Sequence, residues 1–349
     1  MTDDDTTPIL DVTDLEVSFT TEDGILRAVA GASFELAQGE ILAIVGESGS
    51  GKSVTAQTLI GLTRASNTTI AGSVRFRGRD ITELGDDELR DIRGKHISMI
   101  FQDPMTSLNP VYRIGDQIIE MIRAHDKVPK AKARERAVEL LKSVGIPNAE
   151  RRVRDYPHEF SGGMRQRVMI AMALALEPEV LIADEPTTAL DVTIQAQIMA
   201  LIEKLNADRG LAVVLITHDL GVVAEAADRV VVMYAGQIVE DASFDEIFYN
   251  PQHPYTWGLL GSLPRLDEER PERLPSIAGS PPSLLNPPTG CRFAPRCPHV
   301  FYKCAEPPPL IPHLEGDDTH LDRCWLDIDE KTRLRDVDGR IGLRKPVTQ

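Results

Sequence analysis

The chain has 349 residues, with 54 acidic against 38 basic side chains and a net charge of −16. That length suits one large domain plus an appendage, or two domains. The acidic balance argues against a nucleic-acid-binding surface, which needs a basic stripe, and suits a protein kept soluble at high ionic strength.

The N-terminus, MTDDDTTPIL, lacks the charged-then-apolar pattern of a signal peptide. Residues 9–19 (ILDVTDLEVSF) alternate as a strand, Glu22-Asp23-Gly24 is a turn, and residues 25–36 return as a second strand. Residues 41–45 (ILAIV) are a short apolar run, expected as a buried strand, and GESGSGKS follows at 46–53 before a helix predicted through Leu62. This is G-x-x-x-x-G-K-S with a strand before it and a helix after it, the context that makes the pattern a phosphate-binding loop. Backbone amides over Gly46, Glu47, Ser48, Gly49, Ser50 and Gly51 would cradle phosphates. Lys52 would reach the β- and γ-phosphates, and the Ser53 hydroxyl would ligate Mg²⁺. Residues 70–81 read as an antiparallel strand pair, 86–93 as a short charged helix, and 97–101 as a strand ending at Gln102. Residues 115–125 and 130–144 read as amphipathic helices.

The densest chemistry lies in residues 160–192, FSGGMRQRVMIAMALALEPEVLIADEPTTALDV. A Ser161-Gly162-Gly163 turn opens a helix whose Met164, Val168, Ala171, Met172 and Ala175 fall on one face, and Glu177-Pro178 stops it. Val180–Ala183 is a buried parallel strand ending in Asp184-Glu185. Two adjacent carboxylates at the carboxyl end of such a strand point to a metal and a base. Pro186 to Asp191 turns into the next helix, 193–207. A further buried strand, 211–217, ends in His218-Asp219, and residues 229–240 close as a hairpin around Ala235-Gly236. Strands alternating with helices predict a mainly parallel sheet covered on both faces. No stretch reaches the ~18 consecutive apolar residues of a membrane span, so a soluble, cytoplasmic chain is expected.

Composition shifts at Asn250-Pro251 into a proline-crowded segment, 251–312, that starts with a short helix at 253–264. All four cysteines lie after residue 290: Cys291, Cys297, Cys304 and Cys324, separated by five, six and nineteen residues. That spacing matches neither a zinc ribbon nor a standard ferredoxin, yet their grouping points to a local site rather than a disulfide-stapled fold. Proline-rich chain without a core is a plausible user of a structural metal.

The order of these motifs resembles the ATPases of ATP-binding cassette (ABC) transporters. Residues 160–192 resemble the family's signature turn, second acidic motif and D-loop. The run AGSPPSLLNPPTGCRFAPRCP (278–298) and DPMTSLNPVYRIGDQI after Gln102 resemble the oligopeptide and dipeptide importers. The resemblance implies an α/β P-loop NTPase (RecA-like) core, an antiparallel β-subdomain and an α-helical subdomain at about 103–178. It places a nucleotide-binding domain at 1–250 and an importer-type extension at 251–349. It implies ATP and Mg²⁺ as ligands. Phe19 would stack on adenine, Gln102 would position Mg²⁺ and water, and Asp184 would be a Mg²⁺-linked carboxylate. Glu185 would be the general base and His218 the γ-phosphate contact. Ser161, Gly162 and Gly163 would serve the nucleotide of a partner subunit, with Asp191 at the dimer interface. The four cysteines would hold a [4Fe–4S] cluster, with a Cys₄ zinc site or free thiols and disulfides as the other readings. The implied partners are two permease subunits, a second related ATPase (the Met164 form resembles one chain of a pair), and an extracellular substrate-binding protein, with no nucleic acid. The implied location is the cytoplasmic face of the membrane, and the implied work is powering import of short peptides. Nickel or oligosaccharide importers of the same branch, and less closely a soluble ABC ATPase, remain alternatives.

Overall fold

The computed structural model describes residues 7–103, 107–187, 190–263, 276–314, 316 and 318–338. Parts of several stretches read above, at 1–6, 104–106, 188–189, 264–275, 315, 317 and 339–349, lie outside the described residues.

Two sheets organise the chain. The smaller is antiparallel, with strands β1 (Leu10–Thr21), β2 (Gly24–Leu36), β4 (Thr68–Phe76) and β5 (Arg79–Asp80) in the order β2-β1-β4-β5. The larger contains β3 (Ile41–Val45), β6 (Ile97–Ile100), β7 (Val180–Asp184), β8 (Ala212–Thr217), β9 (Arg229–Tyr234), β10 (Gln237–Ser243), β11 (Ile311–Pro312) and β12 (Leu321–Asp322). Its order is β11-β12-β10-β9-β3-β8-β7-β6. From β9 to β6 the neighbours are parallel. Strands β3, β6, β7 and β8 are buried along their whole length. They are continuous apolar runs rather than alternating ones because both faces of a parallel sheet are covered.

Helices α1 (Lys52–Thr58) and α2 (Asp86–Ile92) follow β3 and β5. Helices α3 (Ile114–His125), α4 (Lys130–Ser143), α5 (Ala149–Arg152) and α6 (Gly162–Ala173) make a separate helical layer. It is sealed by Ile118, Ile122, Leu141, Ile146 and Val168, all buried in one cluster that continues under the sheet. The single apolar face expected for α6 is not what forms. Met169, Ile170 and Ala173 are buried alongside Val168 and Ala171, while Met164 and Met172 are only half-buried. The helix is wedged between the other helices and β6, so its whole middle is covered. It also ends at Ala173, before the Glu177-Pro178 stop. Likewise α1 is shorter than expected: it ends at Thr58, and turns carry the chain to Thr63. Helices α7 (Val192–Arg209), α8 (Leu220–Ala226), α9 (Phe244–Tyr249), α10 (Pro254–Gly261) and α11 (Ile328–Asp338) complete the chain.

The C-terminal extension is not a detached tail. Strand β12 pairs with β10, Glu240 opposite Asp322, and so lengthens the main sheet. A buried polar clasp holds it there. The fully buried Glu240 lies 2.8 Å from His320 Nε2 and accepts the Gln252 and His253 amides at 2.6 and 3.0 Å. Burial pushes the Glu240 carboxyl up, but His320, together with Thr256 and the Gln252 amide, holds it below its ordinary range. Beside it Lys331 of α11 donates to both oxygens of the buried Asp322 at 2.7 Å. This helix falls in a stretch where the sequence shows no motif. His320→Ala leaves a buried carboxylate short of its partner and is expected to cost about 3–5 kcal/mol, read as a lower urea midpoint at unchanged slope.

Candidate nucleotide site

Strands β3, β8, β7 and β6 lie side by side, so the loops leaving their carboxyl ends meet along one edge of the sheet. Residues 46–53 follow β3, His218 follows β8, Asp184-Glu185 ends β7, and Gln102 follows β6. Four segments far apart in sequence thus arrive together because the strands are parallel and adjacent.

The phosphate-loop geometry is built from glycine and close approach. Gly46 has φ +153°, and a Cβ there would overlap the Met233 carbonyl oxygen of β9, so no larger residue fits. Lys52 is 5% exposed, and its Nζ donates to the Gly46 carbonyl at 2.7 Å, the Glu47 carbonyl at 3.0 Å and Ser50 Oγ at 3.4 Å. Burial pulls the Lys52 ammonium below its usual range, opposed by Glu185, Asp184 and Glu47.

The carboxylates are held differently. Asp184 is buried and accepts the Ser53 hydroxyl at 3.0 Å. Burial raises its carboxyl above the usual range, against that hydrogen bond. Glu185 sits at φ +48°, a left-handed conformation that costs about 1–3 kcal/mol in a non-glycine residue. Its amide donates to the Ile216 carbonyl of β8 at 2.9 Å, which holds the turn. Its side chain then spans the two neighbouring strands: Gln102 Nε2 donates to Oε2 at 2.6 Å, and His218 Nδ1 lies 3.1 Å from Oε1. The strained residue is the one whose carboxylate must face between β6 and β8.

The Ser161-Gly162-Gly163 turn faces other neighbours. Ser161 caps α6, its Oγ accepting the Met164 amide at 3.4 Å. A Cβ on Gly163 would come within 2.7 Å of Ile194 Cγ2, so glycine is required by packing. Ile194 in turn donates its amide to Asp191 Oδ1 at 3.0 Å, the N-cap of α7. The signature turn and Asp191 are therefore brought to each other, and Ser161, Gly162 and Asp191 are exposed. Phe19 lies on β1 opposite Leu26 and Thr68, half-buried against the core beneath the small sheet.

Glu47 has partners outside the loop. Its amide donates to Tyr255 Oη at 2.8 Å, and its carboxylate receives Arg296. Sequence reasoning missed both contacts, because they join residues more than two hundred positions apart.

The four cysteines converge: all line one small cavity together with His253, Phe293 and Trp325. None is in a disulfide, and Cys291 donates its amide to the Cys304 carbonyl at 3.0 Å. Burial raises the Cys291 thiol and pushes Cys297 and Cys324 up to about 11 and about 12. Among the described residues, no three His, Cys, Asp or Glu side chains are arranged closely enough to ligate a metal.

Two family models match. One, for ABC transporters, covers residues 29–188. The other, for the C-terminal region of oligopeptide/dipeptide transporters, covers 239–304. The chain is 54% identical to the oligopeptide transport ATP-binding protein OppD of Bacillus subtilis, over 92% of this chain and 89% of that protein. It is 53% identical to the dipeptide transport ATP-binding protein DppD of the same organism, over 91% and 94%. The chain belongs to the oligopeptide/dipeptide branch of the ABC transporter ATP-binding proteins. An ABC ATPase fold is also what the structure resembles: a dimeric, post-hydrolysis ATP-binding cassette, MJ0796, bound to ADP and phosphate superposes with TM-score 0.61. It is 29% identical and covers 67% of this chain and 98% of that one. As an ABC transporter ATPase, the chain couples ATP hydrolysis to transport, and no helix among its described residues is long and apolar enough to cross a membrane.

Proposed function

We propose that this chain powers the uptake of short peptides, with ATP as fuel and Glu185 as the base that takes the proton of the attacking water. The observation that carries the catalytic reading is the Glu185 carboxylate, fixed between Gln102 and His218 at the edge where the phosphate loop ends. Its charge acts on the loop lysine, Lys52.

In this reading Lys52 binds the β- and γ-phosphates, His218 meets the γ-phosphate, and Phe19 stacks on adenine. Gly46 to Ser53 supply the amide cradle. Ser53, Asp184 and Gln102 offer hard oxygen donors to Mg²⁺, a set this cation favours. Bound there, Mg²⁺ would supply charge neutralisation on the phosphates. Gln102 orients the attacking water toward Glu185, a proton moves from that water to a Glu185 oxygen, and the products are ADP and phosphate.

The exposed Ser161-Gly162 turn at the start of α6 is a second anion-binding surface, which we assign to the nucleotide of a partner ATPase. Asp191 lies beside it at the same interface, and the dimeric form of the related cassette supports this arrangement. The Met164 form of the turn favours a second, related ATPase chain as partner. Two permease subunits would dock on the segment after Gln102, where Val111 and Tyr112 are 73% and 57% exposed. Through them the chain would sit at the cytoplasmic face of the membrane and serve an extracellular binding protein. The likeness to OppD and DppD supports peptides as cargo. Domain limits of 1–250 and 251–349 fit this division of labour, although the sheet is continuous across them.

The four thiols would hold a [4Fe–4S] cluster, or zinc in its place. Thiolates are the donor type either centre uses and all four cysteines line one cavity, but their side chains would have to draw closer together to ligate it. Burial raises the thiols of Cys291, Cys297 and Cys324, so binding there must displace protons. Anaerobically purified protein is expected to be brown, with about four irons per chain as a Cys₄ cluster requires. Colourless protein with one zinc assigns the site to zinc, and thiols free of both metals overturn it.

Cargo is tested by uptake. Deleting the chain is expected to abolish accumulation of labelled di- and oligopeptides in cells. Intact peptide uptake with lost nickel or oligosaccharide uptake would reassign the cargo.

A further inference from the structure

The phosphate loop meets the C-terminal extension directly at Glu47. All three of its polar groups are engaged. Its carbonyl accepts Lys52 Nζ at 3.0 Å, inside the loop. Its amide donates to Tyr255 Oη at 2.8 Å, on α10. Its carboxylate takes a two-pronged contact from Arg296, Nη1 to Oε2 at 2.5 Å and Nη2 to Oε1 at 3.0 Å. Paired contacts of this kind fix orientation as well as adding energy.

Arg296 is itself held tightly. Its side chain is 3% exposed. Its Nε donates to the Ala278 carbonyl at 2.9 Å and Nη2 to the Ile277 carbonyl at 3.2 Å. Its guanidinium lies over Tyr234, whose ring packs against Tyr255 and Phe293. Nearby, Arg292 donates to the Ala235 carbonyl. The next residue, Gly236, donates its amide to the Ser50 carbonyl of the loop at 2.8 Å. Two arginines flanking Phe293 thus grip the phosphate loop from behind, one directly and one through the β9–β10 turn. The same short segment carries Cys291 and Cys297, both packed on this aromatic cluster.

We propose that Arg296 and Tyr255 are positioning residues for ATP binding: they hold Glu47, and through its carbonyl Lys52, in the geometry that receives the phosphates. A loop fixed before the ligand arrives loses less freedom on binding. The inference rests on residues 46–53 binding ATP, and the test separates the two claims.

The experiment measures ATP affinity and thermal midpoint on the full chain for the parent, Tyr255→Phe, Arg296→Met, Arg296→Lys, Glu47→Gln and the Glu47→Gln/Arg296→Met pair. Tyr255→Phe keeps the ring and removes only the acceptor for the Glu47 amide. Expected is roughly tenfold weaker ATP binding in Tyr255→Phe and in Arg296→Met, the factor carried by about 1.4 kcal/mol. Arg296→Lys should recover part of it. The double variant should bind no worse than the weaker single, because both changes cut one contact. Parent affinity in Tyr255→Phe and Arg296→Met overturns the proposal, as does full additivity in the double variant. So does weakening that only follows loss of thermal stability. A parent chain that does not bind ATP, or a Lys52→Ala chain that binds it equally well, overturns the phosphate-loop reading and this inference with it.

Discussion

Glu185→Gln is expected to bind ATP with parent affinity while hydrolysing it ~10²–10⁴ times more slowly, the range for loss of a general base. The reasoning is geometric. The amide keeps the volume of the carboxylate and can still meet Gln102 and His218, which hold the native side chain at 2.6 and 3.1 Å. What it loses is the capacity to take a proton. The backbone at φ +48° and its bond to the Ile216 carbonyl are untouched, so the fold should not suffer. If ATP joins two ATPase chains and only its hydrolysis parts them, the variant should also accumulate as an ATP-dependent dimer. Turnover and size-exclusion chromatography with ATP read both effects. Hydrolysis at the parent rate would remove Glu185 from the role of base.

Lys52→Ala is expected to abolish tight ATP binding. Truncating one partner of a buried, hydrogen-bonded charge contact costs about 2–5 kcal/mol, roughly 30- to 4,000-fold in affinity. Two features push the effect toward the upper end. Lys52 is the positive charge that Asp184, Glu185 and Glu47 all act upon. Without it, Asp184 and Glu185 face the incoming phosphates with no lysine charge beside them. The Gly46 and Glu47 carbonyls also lose the donor that ties the loop together. Calorimetric titration with ATP measures the loss, and unchanged affinity would contradict the assignment of residues 46–53.

The site was legible in the sequence wherever its chemistry is written contiguously. The run 46–53, the pair Asp184-Glu185 and the turn 161–163 each carry their own flanking strand or helix, so position followed from local pattern. Gln102 and His218 were legible only by motif order. A lone polar residue after a strand carries no signal until the sheet shows it beside Glu185. The helical face of α6 misled because periodicity records which side is apolar, not how many neighbours surround the helix. Met169 and Ile170, outside the expected stripe, are as buried as Val168.

The extension was the least legible part. Proline-rich chain gives no period, and its order comes from single long-range contacts. Glu240 with His320, Asp322 with Lys331, and Glu47 with Arg296 are such pairs. Each is unreadable from either end alone. These contacts turn an apparent appendage into part of the main sheet and the back wall of the phosphate loop. The cysteines run the other way: their grouping pointed to one local site despite irregular spacing, and all four line one cavity.

The most direct measurement is ATP hydrolysis by the complete transporter reconstituted in liposomes, with its binding protein, in the presence and absence of short peptides. Expected is hydrolysis that rises when peptide-loaded binding protein is supplied and that Glu185→Gln in this chain removes. Hydrolysis indifferent to peptide, or peptide uptake that survives Glu185→Gln undiminished, would contradict this chain's role as the engine of peptide import.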